Sequence, residues 1–341
     1  MAALDVTLSG FARPARIGLA ALLLGLVAVW LMTLGFNDYL LTLACFVGLN
    51  VMLATSLTLS NGCTGLFSLG HPGFMTVGGY LAAVFTYPVQ RKSYMMPELP
   101  DWIASQQWDL LPATLLGGVG AALVAVVIGF PVLRLRGHYL AVATLGFIII
   151  VRVLIINMEG YTRGGLGLNG LPLLTNLWWV FGWTALTLFV CWRIKHSSLG
   201  RAMLAIRENE MAAQCMGIKA TRTRLTAFVI GAFFAGVAGV LWTHLVTVIT
   251  PGSFSIMLAF TLVVMVVIGG SGSLTGAVIA AVALSVLTEL IKPFEQGLDA
   301  YGLSQIVIAL GLLLVLMLRP KGLFGSLEPA FITGRANRKD A

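Results

Sequence analysis

The sequence predicts an all-α polytopic membrane protein, and three observations carry that reading. Of 341 residues, 58% are hydrophobic and 10% are charged, with a mean hydropathy of +0.95. A soluble domain carries about 25% charged residues. The apolar residues fall in runs of about twenty, the length a helix needs to cross roughly 30 Å of hydrocarbon. The formal charge of +8 gathers in a few connecting loops, which fits one face of a membrane protein rather than nucleic-acid binding. No polar stretch is long enough to form a separate soluble domain.

The apolar runs give about ten transmembrane helices, at 17–36, 40–59, 64–87, 112–133, 139–158, 176–194, 225–247, 255–270, 274–291 and 301–318. Glycines interrupt the third, and the eighth is short. Arg13 and Arg16 precede an apolar stretch with no small-residue cleavage site, so this stretch reads as a retained first span. With the N-terminus in the cytoplasm and strict alternation, 16 of the 21 basic residues fall on the cytoplasmic side. Arg91, Lys92, Arg163 and Lys292 fall outside, and Arg152 lies within a span. The positive-inside rule requires such a split, so both termini are expected in the cytoplasm. Residues 88–111 and 159–175 then face outward, and residues 195–224 form the widest cytoplasmic loop. Residues 1–325 read as a single transmembrane domain and 326–341 as a short cytoplasmic tail. Cys45, Cys63, Cys191 and Cys215 lack metal-ligand spacing, and their placement argues against a disulfide framework.

The third span breaks its own pattern. The run "NGCTGLFSLGHPGF" (61–74) holds four glycines, a proline, a histidine and an asparagine. Backbone left unpaired in lipid costs several kcal/mol per group, so such breaks survive only where protein or a water-filled cavity covers them. Two readings stand. In one, Gly65, Ser68, Gly70 and His71 line a translocation path, as broken helices do in transporters. In the other, a turn is followed by close glycine packing against a neighbouring helix, which Gly78, Gly79, Ala82 and Ala83 favour. Arg152, within "FIIIVRVLII", either snorkels to the outer surface or stabilises the outer half of a path. Glu289 is expected to reach water at the outer end of its span.

Enzyme signatures are missing. "GGSGSLTGA" (269–277) lacks the lysine of a phosphate-binding loop, and the four histidines have no ligand spacing. The chain is therefore read as a non-enzyme that binds no metal or cofactor. Few carboxylates lie in the spans, which weakens an ion-coupled secondary transporter. Energy for transport would have to come from another subunit. In the 195–224 loop, Leu204, Met211, Cys215 and Ile218 recur at helical spacing. The expectation is one amphipathic helix over about 200–218 that docks into a soluble partner. Arg207, Glu208 and Glu210 would set the rim, and Gly217 would end the helix.

Several of these segments together resemble the branched-chain amino acid ABC importer permeases of the LivM type. They are "GLFSLGHPGFMTVGGY" (65–80), "LRLRGHYLAVATLGF" (133–147), "GRAMLAIRENEMAAQCMGI" (200–218), "VVIGGSGSLTGAVIAA" (266–281) and "RPKGLFG" (319–325). The 200–218 segment resembles that family's cytoplasmic coupling segment, with Ala212, Ala213 and Gly217 matching its Ala-Ala-x-x-x-Gly core. The outer loop "TRGGLGLNGLP" (162–172) is similar to that family's Thr-Gly-Gly-containing loop, with an arginine before the glycine pair. The resemblance implies a type II importer-like permease bundle in a bacterial inner membrane, surrounded by lipid. It also implies a second, LivH-like permease subunit, two cytoplasmic ATPase subunits that hold ATP and magnesium, and an extracytoplasmic substrate-binding protein. The same family contains urea and short-amide importers, which are the alternative substrates.

Overall fold

A computed structural model describes residues 25–27, 29–33, 35, 37–135, 137–298, 302–319 and 322–325. The first expected span falls largely outside these residues, and so does the 326–341 tail. A chain this apolar must pair its backbone internally, and helices do so within one segment. The membrane-scale elements are α1 (Asp38–Leu57), α2 (His71–Thr86), α5 (Leu110–Val132), α6 (His138–Asn157), α8 (Leu177–Lys195), α11 (Ala220–Val246), α12 (Ile256–Gly269), α13 (Leu274–Leu298) and α14 (Leu303–Leu318). Short helices fill the connections: α3 (Val89–Met95), α4 (Asp101–Ala104), α7 (Glu159–Thr162), α9 (Ser198–Glu208) and α10 (Glu210–Cys215).

Among the described residues, six helices are long and apolar enough to cross a membrane alone. The expectation of ten spans is therefore reached only in part. Helices α12 and α14 are apolar but shorter, at 14 and 16 residues, or about 21–24 Å. Helix α2 has 16 residues and starts seven positions later than its apolar run.

Helix α11 is the axis of the bundle. Its buried residues include Gly231, Ala232, Ala235, Gly236, Ala238 and Gly239, so the middle of its buried surface carries few side chains larger than a methyl group. Helices α2 and α5 press into that surface. A Cβ on Gly78 would lie 2.5 Å from the Gly236 carbonyl oxygen, and one on Gly239 only 2.1 Å from that of Met75. A Cβ on Gly117 of α5 would lie 2.8 Å from the Gly78 carbonyl oxygen. Small residues allow this approach, and dispersion between the closely apposed backbones rewards it.

The two ends of the bundle differ. At one end, β1 (Leu168–Asn169) pairs antiparallel with β2 (Val248–Ile249), Leu168 opposite Ile249. Lys92 is buried there, donating to the carbonyls of Ile103 (3.1 Å) and Gln106, and burial pushes its pKa down. Glu289 does not simply reach water as expected. It accepts from Tyr39 and pairs with Lys292 at 2.6 Å. The other end gathers the 62–70 segment, the 195–219 loop, the 270–273 loop and residues 322–325.

Candidate functional site

The site begins where α1 stops being an α-helix. Residues Thr58–Gly62 continue it as a π-helix, a form that tends to appear at functional positions. Residues 65–70 are not helical, and α2 opens at His71 with Pro72 in its first turn. Proline fits there because the first amide groups of a helix have no partner to lose. Gly65 has φ +71°, in the left-handed region that disfavours a side chain.

Much of the amide backbone freed by this break finds partners. Asn61 clamps Ser68 as a backbone strand would: its Nδ2 donates to the Ser68 carbonyl at 2.8 Å and its Oδ1 accepts from the Ser68 amide at 3.3 Å. The Leu69 amide donates to Thr144 Oγ1 of α6 at 2.9 Å, and the Gly70 amide to Ser68 Oγ at 3.3 Å. Phe74 then fixes the start of α2 between Phe147 and Phe228, with ring centroids 4.8 and 5.3 Å away.

Ser68 and His71 are 1% and 2% exposed. The His71 Nε2 lies 3.3 Å from Ser56 Oγ, whereas Nδ1 makes no hydrogen bond to the protein. The nearby hydroxyls mostly serve their own helix. Thr55, Ser56, Thr58 and Ser60 each donate to a carbonyl three or four residues earlier, the back-bonding that lets such residues sit in an apolar helix. Gly65, Ser68, Gly70 and His71 are thus neighbours in space, as their sequence proximity requires.

Arg152 does not join them. The buried stripe of α6 runs through Leu140, Ala141, Thr144, Phe147, Ile148, Val151 and Ile155. Arg152 falls off that stripe and is exposed among Ile149, Ile150, Val153 and Leu154. Within this chain Arg152 therefore lies on a different surface from Gly65, Ser68, Gly70 and His71.

The 195–219 loop departs from the single helix expected over 200–218. Ser197 caps α9 by accepting from the Gly200 amide, and Asn209 then leaves the helical region at φ −155°. Asn209 caps α10 in turn, accepting from the Ala212 amide at 3.0 Å. An asparagine at such a cap competes with helix continuation by offering its side chain to the next turn. Gly217 ends α10 at φ +84°, with Gly217 N–H to Gln214 and Ile218 N–H to Ala213, the paired bonds of a Schellman cap.

The two-helix geometry redistributes the roles. Met203 and Ile206 face inward, and Ala213 is buried against Ile206 and Ala220. Leu204 is half-buried, so it does not continue the face of Met211 and Cys215, which are exposed with Ala212, Gly217 and Glu208. Glu210 is not a free rim charge, since it pairs bidentately with Arg224 at 3.1 Å. Arg207 also turns inward: its Nη1 donates to the carbonyls of Gly62 (2.8 Å) and Ser271 (2.7 Å). The most exposed apolar side chain of the loop is Met216 at 82%, with Met211 at 68%. Met216 sits at a helix end, where helical periodicity gave no signal for it.

The 270–273 loop completes the assembly. Gly270 and Gly272 have φ +108° and +106°, and Lys195 Nζ donates to the Gly272 carbonyl at 2.5 Å. Residues 322–325 fold back on the same place, with the Leu323 amide 2.9 Å from the Ile268 carbonyl and the Phe324 amide 3.3 Å from that of Gly269. Four of the motif-bearing segments therefore meet at one end of the bundle.

Comparison with known proteins adds the family. The model of the branched-chain amino acid transport system permease component matches residues 39–318. The chain is 33% identical over 315 residues to the high-affinity branched-chain amino acid transport system permease protein LivM of Salmonella typhimurium, covering 82% of this chain and 68% of the relative. The LivM protein of Escherichia coli gives the same identity and coverage. The LivH permease protein of Salmonella typhimurium is 28% identical over 310 residues, covering 81% of this chain and 91% of the relative. No solved structure matches.

Proposed function

The chain belongs to the branched-chain amino acid transport system permease family, and from that premise we propose how it works within an importer. It is a membrane permease subunit of a branched-chain amino acid ABC importer and a transport component rather than an enzyme. The family match over residues 39–318 is the observation that carries this. Similarity to both LivM and LivH proteins supports pairing with a second, LivH-like permease subunit. Two ATPase subunits would hold ATP and magnesium on the cytoplasmic side, and a binding protein would deliver substrate from outside.

In this reading both termini are cytoplasmic and the 195–219 loop faces the ATPase. The basic residues concentrated there support that orientation. Met211, Cys215 and Met216 offer the apolar contact, with Ala212 and Glu208 beside them. The break at 65–70 borders the path, where Gly65 and Gly70 bring backbone close and Ser68 and His71 supply polar atoms. The unpartnered His71 Nδ1 favours this role over simple packing, because a buried polar atom without a bond is costly. Each inward step would then depend on the ATPase moving the loop that lies against the break.

The test is to purify the complex and reconstitute it in vesicles with its binding protein. Leucine uptake that requires ATP, with ATPase chains co-purifying, is the expected result. Uptake of urea or a short amide instead would keep the importer and change its substrate. Uptake driven by an ion gradient without ATPase chains would overturn the assignment.

A further inference from the structure

We propose that Arg207 is a positioning residue, a tether that makes the 198–215 loop and the two glycine breaks at 62–65 and 270–272 move as one piece. The inference rests on the importer assignment above and concerns how motion reaches the path. Arg207 lies at the end of α9, yet its guanidinium joins points 145 and 64 residues away in the chain. Nη1 donates to the Gly62 and Ser271 carbonyls, and Nη2 lies 3.4 Å from Ser271 Oγ.

The acceptors are of the kind that need an external donor. Gly62 closes the π-helix, where terminal carbonyls lack helical partners and carry the negative end of the helix dipole. Ser271 stands between Gly270 and Gly272, whose positive φ values turn its carbonyl away from any helical ladder. A guanidinium suits both at once, because its planar fork presents several donors in fixed directions while remaining charged. Lys195 adds a second cation on the same loop through the Gly272 carbonyl.

The packing around the guanidinium is equally specific. A Cβ on Gly65 would lie 3.2 Å from Arg207 Cγ, and one on Gly272 would lie 2.4 Å from Arg207 Nη1. A Cβ on Gly62 would lie 2.7 Å from the Gly272 amide nitrogen. Gly65 and Gly272 thus leave space for one arginine side chain, and Gly62 lets the two breaks approach each other. Displacing α9 pulls on the end of α1 and on the α12–α13 junction through the same charged group.

A tether and a merely structural arginine differ in one measurable ratio, uptake per ATP hydrolysed. The experiment uses the whole importer in vesicles and compares wild type with Arg207→Gln, Arg207→Lys and Gly272→Ala. For Arg207→Gln we expect uptake to fall about tenfold while ATP hydrolysis stays within about threefold, as loss of charge-assisted bonds from one link would give. Arg207→Lys should recover part of the ratio through a single carbonyl contact. Gly272→Ala keeps the arginine but its Cβ would displace Nη1 from the carbonyls, and it should lower the ratio in the same direction.

Uptake and hydrolysis falling in proportion, or neither changing, in an assembled Arg207→Gln complex would overturn the tether. If Arg207→Gln does not assemble, Gly272→Ala decides: a lowered ratio supports the tether, and a normal one makes Arg207 structural. The wild-type control separates this from the functional assignment, since a wild type without ATP-dependent uptake would count against the importer itself.

Discussion

Two glycine-rich regions of this protein use the same residue for opposite purposes. In the α2–α5–α11 junction, Gly78, Gly117, Gly236 and Gly239 are helical and simply remove side chains, so three backbones come into contact. At the breaks, Gly65, Gly270 and Gly272 have positive φ; Arg207 packs where a Cβ of Gly65 or Gly272 would lie, while Gly270 faces the backbone of Gly325. The first arrangement holds the bundle together; the second leaves carbonyls for Arg207 and Lys195. A glycine in a membrane helix therefore says little until its φ and its neighbour are known.

Substitutions can break or sharpen that contrast. The largest effect is expected for Gly239→Leu. Its Cβ alone would lie 2.1 Å from the Met75 carbonyl oxygen, so overpacking should cost at least about 3 kcal/mol. Thermal unfolding in detergent, with the yield of folded protein, measures it. An unaltered midpoint would mean that the helices separate easily and that the junction is not structural.

Gly65→Ala should show the other behaviour. Its left-handed backbone would be strained by about 1–2 kcal/mol, a smaller loss of stability, while uptake drops more than the folded yield does. A variant that loses both in parallel would erase the distinction between the two regions.

Glu210→Gln tests the loop with less force. The pair with Arg224 is partly exposed, with side chains at 28% and 17%, so its loss is expected to cost about 1 kcal/mol. Hydrogen exchange over α10 should quicken about fivefold, with α2 and α11 unaffected. The smallest effect belongs to Arg152→Leu, which should leave uptake within about twofold. A large loss there would give Arg152 a part in the path.

Much of the fold was legible in the sequence because hydrocarbon imposes simple rules. The limits of α5, α6, α8 and α12 lie within two residues of the apolar runs, and the glycines of 65–70 coincide with the non-helical segment. The loop was legible only in part. Its amphipathic pattern was read as one helix, although Asn209 followed by Glu210 is a start signal for a second. The inward turn of Arg207 had no local signature at all. Its acceptors are backbone carbonyls, which no side-chain pattern encodes, on segments that meet only after folding. Arg152 illustrates the converse, since its isolation among apolar residues was visible while the face it occupies was not.

The strip at 322–325 carries a consequence for how the molecule is made. A chain entering the membrane during synthesis delivers Gly62 first, then Arg207, then Ser271, and only afterwards Leu323 and Phe324. The carbonyls of Ile268 and Gly269 receive these last two amides, so the junction where the breaks meet stays unfinished after every described helix has been made. A ribosome that stalls just past α14 would leave every described helix made and the joint open. The order of manufacture thus reserves closure of this end of the bundle for the final stretch of the described chain.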